Sequence, residues 1–139
     1  MRIEDIMTKE VAIGGMDDTL GDLKKIFESN HLHHLPIVDA GRLVGIVSDR
    51  NVLRFLSPYV GTMGEDNRAL NTLRKKACQT MTRDVVTVRA NETVTAAASM
   101  MLDNCFSCLP VLSDAGAIVG IVTKTNFLDC IVRQTSAPS

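Results

Sequence analysis

The sequence predicts an α+β fold in which one β-α-β-β-α unit is used twice. Three observations carry this. Leu35-Pro36-Ile37-Val38 is answered by Leu109-Pro110-Val111-Leu112. Gly45-Ile46-Val47-Ser48 is answered by Gly120-Ile121-Val122-Thr123. Upstream, Met7-Thr8 is matched by Met81-Thr82 at the same interval that separates Pro36 from Pro110. The two glycines are one residue further apart than the two prolines, so the second copy has a longer turn. A unit duplicated within a short chain gives two similar supersecondary pieces and two similar clefts.

Each element follows from local chemistry. Val11-Ala12-Ile13 and the β-branched run Val85-Val86-Thr87-Val88 read as first strands. Asp18-Thr19 and Glu92-Thr93 are cap signals that open helices. Helical spacing then puts Leu20, Leu23, Phe27 and His31 on one face, and Val94, Ala97, Met101 and Cys105 on its counterpart. Pro36 and Pro110 suit the start of a strand, where a missing N–H is tolerated. Two apolar runs across Asp39-Ala40-Gly41, or across Ser113-Asp114-Ala115-Gly116, read as hairpins. Ser48 and Thr123 are placed to cap the last helices, expected over 49–56 and 124–132. Between the copies, Ser57-Pro58 stops a helix, Gly61 to Gly64 reads as loop, and 65–76 has helix-forming composition with Leu70 and Leu73 as apolar contacts. The expected organisation is a first repeat at 1–60, a linker with a helix at 61–76, a second repeat at 77–133 and a flexible tail at 134–139.

Composition bounds the function. The 139 residues are 45% hydrophobic and 22% charged, ordinary for a folded domain. A net charge of −1 argues against a general nucleic-acid binder, and Arg74-Lys75-Lys76 is too short a basic cluster to reverse that. No apolar run approaches the roughly 18 residues of a membrane span. The charged opening Met1-Arg2-Ile3-Glu4-Asp5 is unlike a secretory signal, so a cytoplasmic protein without a membrane partner is expected. The four cysteines, Cys78, Cys105, Cys108 and Cys130, then read as free thiols, mostly small buried hydrophobes. Cys105 and Cys108 have metal-ligand spacing but lack a second paired set, and a redox role for them stays open. His31-Leu32-His33-His34 is open to metal binding or pH sensing, though Cys105, Ser107 and Cys108 fill the same places in the second copy. No catalytic residues and no metal site are assigned: there is no Walker A lysine motif and no evident nucleophile–base arrangement.

These repeats resemble a tandem pair of CBS domains, the Bateman module, over essentially the whole chain. The resemblance rests on the Met-Thr start, the Leu-Pro-hydrophobic-hydrophobic strand and the Gly-Ile-Val-Ser/Thr run, each found twice in register. It implies two repeats packed pseudo-two-fold through their sheets, in a stand-alone regulatory module that is not an enzyme and needs no cofactor. It implies clefts between the repeats for AMP, ADP, ATP or another adenosyl ligand, a homodimer, and an effector protein that reads the ligand-driven change. The alternative is a dimeric interaction scaffold with vestigial sites.

The resemblance also implies the binding residues. The nucleotide motif runs Gly-hydrophobic-hydrophobic-Thr/Ser-x-x-Asp and falls here on Ser48, Asp49, Arg50 and Asn51, and on Thr123, Lys124 and Asn126. A helix start offers unpaired N–H groups to an anion, and Arg50 and Lys124 would add charge. Adenine is expected against Thr8, Val11 and Ile13 with His33 and His34 in the first repeat. In the second it is expected against Thr82, Val85 and Thr87 with Ser107 and Cys108. Leu35-Pro36 and Leu109-Pro110 border these positions. Both copies depart from the motif at its last position, where asparagine replaces the aspartate that accepts from both ribose hydroxyls. That loss is worth about 1–3 kcal/mol of affinity.

Overall fold

The computed structural model describes residues 1–136. Two compact units emerge, each built on a three-stranded sheet, and their composition cuts across the sequence repeats. The first-repeat unit is Ala12–Val85. The second-repeat unit joins Met1–Val11 to the chain from Val86 onward. The expected boundaries, 1–60 and 77–133, therefore mark the duplicated sequence and not the compact bodies. Apolar anchors explain the exchange. Ile3 is fully buried among Val88, Leu109, Val111 and Val122, whereas Ala77 and Met81 are buried with Leu20, Leu35 and Val47.

In the first-repeat unit, strand β1 (Gly14–Gly15) runs parallel to β2 (His34–Asp39), and β2 is antiparallel to β3 (Arg42–Ser48). Helix α1 (Leu20–Asn30) starts where the Thr19 side chain accepts from the Asp22 N–H, and Asp22 answers by accepting from the Thr19 N–H. These bonds hold the Asp22 carboxyl below its ordinary range. Leu20, Leu23 and Phe27 bury one face against Leu35, Ile37 and Val47. The β2–β3 turn places Ala40 and Gly41 at φ of 50° and 79°, the two positive values a tight primed turn needs.

After β3 come α2 (Asp49–Phe55), α3 (Asn67–Thr72) and α4 (Ala77–Thr80). Leu56 is the C-cap of α2 and not its last helical residue. The helix expected over 65–76 is shorter because the Asp66 carboxylate caps it at the Ala69 N–H. Ala69 is its buried contact; Leu70 is 39% exposed and Leu73 half-buried.

The second-repeat unit repeats the pattern with β4 (Val88–Arg89), α5 (Val94–Asn104), β5 (Cys108–Leu112), β6 (Ile118–Thr123) and α6 (Lys124–Ser136). A 3-10 turn, Ile3–Asp5, belongs to the same unit. Helix α6 runs past the expected end at 132, so 134–136 are helical and not tail; 137–139 lie outside the described residues.

Two further expectations are corrected. The first strands are not Val11–Ile13 and Val85–Val88 but the shorter β1 and β4. A Cβ built on Gly14 would lie 3.1 Å from both Ile37 Cδ1 and Leu35 Cδ2, so a side chain here would press on the core residues of β2, while Ile13 is 49% exposed. His31 and Cys105 are not core positions. Both end their helices in the left-handed conformation, at φ of 52° and 56°, and both are exposed. The preceding asparagines help close the helices, Asn30 donating to the Ile26 carbonyl and Asn104 to the Met100 carbonyl, each at 2.9 Å.

Candidate ligand site at the strand-to-helix junctions

Each unit brings a Met-Thr segment against the glycine of its last strand. In the second-repeat unit the Thr8 N–H donates to the Ile121 carbonyl at 2.9 Å, and Thr8 accepts from Ile121 at 3.0 Å. In the first-repeat unit Thr82 and Ile46 make the same pair of bonds, at 2.9 and 3.0 Å. Gly120 and Gly45 are what this approach requires. A Cβ on Gly120 would stand 2.5 Å from Met7 Sδ and 3.0 Å from the Thr8 carbonyl; on Gly45 it would stand 2.5 Å from Met81 Sδ and 3.0 Å from the Thr82 carbonyl.

Within the units the candidate residues fall as follows. Thr8 lies beside Thr123 and Asn126, with Val11 and Thr87 in the same unit. Thr82 is bridged to Ile46 of β3, in the unit that holds Ile13, Val85, His33, His34 and Ser48. Leu35, Pro36, Leu109 and Pro110 are fully buried, so these side chains serve the core.

At the start of α6 the Asn126 amide is fully committed. Its Oδ1 accepts from the Thr123 N–H at 2.8 Å and from the Thr123 hydroxyl at 3.1 Å. Its Nδ2 donates to the Ile6 carbonyl at 2.9 Å and to Thr8 Oγ1 at 3.3 Å. An ionised aspartate has no donor for the Ile6 carbonyl, so asparagine here fastens the opening segment to the helix. At the start of α2, Ser48 Oγ accepts from the Asn51 N–H at 3.1 Å and donates to Asn51 Oδ1 at 3.0 Å. No partner is formed by Asn51 Nδ2 among the described residues.

Charge differs as well. Beside Asn51, His33 Nδ1 meets Asp49 Oδ2 at 2.9 Å, and the Asp49 N–H donates to the His33 carbonyl at 3.0 Å. Burial pushes the Asp49 carboxyl up, but the bonds from His33 and the Arg50 N–H outweigh it and hold it below its ordinary value. His34 lies opposite Ser48 on the sheet; burial holds its imidazole below 6.5 while Asp49 pulls the other way. Arg50 is exposed and makes no ion pair among the described residues. Beside Asn126, Ser107 is exposed, and Cys108 takes the place of His34, opposite Thr123. Burial pushes the Cys108 thiol up to about 12, which keeps it protonated and unreactive. Lys124 is exposed. Among the described residues no three His, Cys, Asp or Glu side chains converge as a metal site.

The repeated Met-Thr pair signalled the segments that reach these junctions, but the roles of Ile6, Met7 and Met81 were not read from it. Equal spacing could not say which glycine each methionine covers.

The CBS domain profile matches residues 3–58 and 76–133. A CBS domain-containing protein of Dictyostelium discoideum is 33% identical over 94% of this chain and 91% of its own. A solved structure of an AcuB protein from Vibrio cholerae, assigned to acetoin utilization, superposes with a TM-score of 0.79 at 27% identity, covering 99% of this chain and 98% of that one. The CBS domain pair of protein MJ0100, solved in complex with 5'-methylthioadenosine and S-adenosyl-L-methionine, superposes with a TM-score of 0.77 at 27% identity, covering 96% and 98%. Matching enzymes, a dehydrogenase and two acetyltransferases, align over 23–25% of their own length.

Proposed function

Because the chain belongs to the CBS domain family, as a tandem pair, we propose that it is a regulatory module that binds an adenosyl ligand and passes a conformational change to a partner protein. The two-repeat α+β architecture, and the alignment of enzymes over a minor part of their length, fit a regulatory module better than a catalyst. The observation that carries the reading is the junction around Ser48 and Asn51. There an Asn51 amide N–H₂ and an Arg50 guanidinium that find no partner among the described residues sit with a half-buried His34 at one strand-to-helix turn. With Nδ2 uncommitted among the described residues, the Asn51 side chain is left to face a ribose, where it is a weaker acceptor than the aspartate of the motif. The bound complex of the MJ0100 domain pair supports the adenosyl class.

The protein is proposed to work in the cytoplasm as a homodimer, the ligand being regulatory and no cofactor being required. No helix among the described residues is long and apolar enough to cross a membrane. For a ligand to transmit a signal it must favour one conformation, so affinity and response are linked. The scaffold reading is favoured at the other junction, where Asn126 is consumed by Ile6, Thr8 and Thr123.

Isothermal titration of AMP, ADP, ATP and S-adenosylmethionine into nucleotide-stripped protein tests the proposal. Saturable micromolar binding without turnover, weakened at least tenfold by Ser48→Ala, is expected. Absence of heat and of thermal stabilisation with every ligand at millimolar concentration would leave the scaffold reading in its place.

A further inference from the structure

One contact is built in both units with different chemistry. In the first-repeat unit the Lys75 ammonium stands 5.4 Å from the centroid of the Phe55 ring. By the spacings that relate the two copies, Met1 answers Lys75 and Cys130 answers Phe55. This second pair is also in contact, the Cys130 thiol donating to Met1 Sδ at 3.3 Å. Backbone anchors bring the two together. Ile3 is fully buried, and the Met1 carbonyl accepts from the Val94 N–H at 3.2 Å. Asn126, one turn before Cys130 on α6, donates to the Ile6 carbonyl. Met1 and Cys130 border a cavity of about 590 Å³, and Met7 borders it too. One thiol and two thioethers therefore share a cavity in the second-repeat unit.

We infer that Met1, Met7 and Cys130 form a binding site for a soft monovalent metal ion, copper(I). Thiolate and thioether sulfurs select this ion over harder ones, and one thiolate matches its single charge. Metal–sulfur bonds of about 2.3 Å put the sulfurs of a trigonal site about 4 Å apart. Met1 and Cys130 need to part by less than that difference suggests a rebuilt loop would, because Met1 is 62% exposed and has room to shift. Oxygen-seeking cations are served poorly at the same cavity. Asp129 is paired with Arg133 at 3.0 Å, and Asp5 accepts from the Arg2 N–H at 2.8 Å. Binding is a simple exchange: the Cys130 S–H gives its proton to solvent as the sulfur–copper bond forms, and the copper stays at +1. The site is independent of the adenosyl reading, since Ser48 and Asn51 belong to the other unit.

Anaerobic titration of copper(I) into the reduced full chain, against bicinchoninate as a coloured competitor, tests this. Wild type should withdraw one equivalent from the competitor. Cys130→Ser should weaken binding about 100-fold and Met7→Leu about tenfold, while Cys105→Ser, at an exposed thiol elsewhere in the same unit, should bind as wild type does. X-ray absorption on copper-loaded wild type carries the test independently of any variant's folding. It should show a first shell of sulfur alone, and protein grown with selenomethionine should show selenium in that shell. Failure of wild type to compete with bicinchoninate would overturn the site. So would full affinity in Cys130→Ser, or a first shell of nitrogen or oxygen, or one that lacks selenium.

Discussion

The starts of α2 and α6 carry the same sequence signal and use it differently. In both, a hydroxyl residue is followed three positions later by asparagine, after the same glycine-bearing strand. At α6 the asparagine spends both ends of its amide inside the protein, and its Nδ2 holds Ile6 and Thr8 in place. At α2 the amide oxygen is used and the nitrogen finds no partner among the described residues. The difference lies in the neighbour. The carbonyl matching that of Ile6 belongs to Thr80, and among the described residues no bond links it to Asn51. Duplication thus supplied two equal motifs, and the local chain made one a fastener and left the other open.

The comparison breaks most severely where the two units are alike. Gly45→Val and Gly120→Val each push a branched side chain into a methionine and a backbone carbonyl. Both should lose about 3 kcal/mol or more of unfolding free energy in urea titration. A loss at one glycine alone would mean that the two Met-Thr segments are not equivalently seated. Asn126→Asp should then separate the junctions. It removes a donor facing the Ile6 carbonyl and should cost about 1–3 kcal/mol, whereas Asn51→Asp should stay within about 0.5 kcal/mol.

A smaller effect comes from one position read in both units, His34 and Cys108. His34 is held neutral by burial, so the unfolded chain binds the extra proton first. Its contribution is whole above 6.5 and is lost as pH falls below that value. Cys108 is an acid whose folded value is raised from 9.0 to about 12, so its contribution is whole below 9.0 and is lost as pH rises above it. His34→Cys should flatten the acid side of the stability curve and leave the alkaline side no flatter; Cys108→Ala should flatten the alkaline side alone. Chemical unfolding at pH 5 to 10 reads both.

Much of the fold was legible because periodicity reports burial. Leu20, Leu23 and Phe27 recur at helical spacing, and their counterparts Ala97 and Met101 are buried in the other unit. The caps Thr19 and Thr93 were equally plain. The exchange of opening segments was not legible. Met7-Thr8 fits either glycine equally, and the choice depends on where Ile3 and Ala77 are buried, which no spacing records. The candidate site was legible as motifs at Ser48–Asn51 and Thr123–Asn126. The expected grouping assumed that neighbours in sequence stay together, whereas Thr8 and Thr82 each lie in the unit that holds the last strand of the other sequence repeat. His31 and Cys105 show the limit of periodicity: they keep the helical interval after the helix has turned left-handed.

The most direct test of the account is calorimetric titration of S-adenosylmethionine into stripped wild-type, Asn51→Asp and Asn126→Asp proteins. The open junction at α2 predicts that Asn51→Asp restores a carboxylate acceptor and tightens binding about tenfold, or about 1.4 kcal/mol, while Asn126→Asp lowers stability and leaves affinity unchanged. Tightening by Asn126→Asp with no response to Asn51→Asp would place the ligand at the junction read here as a fastener and contradict the account.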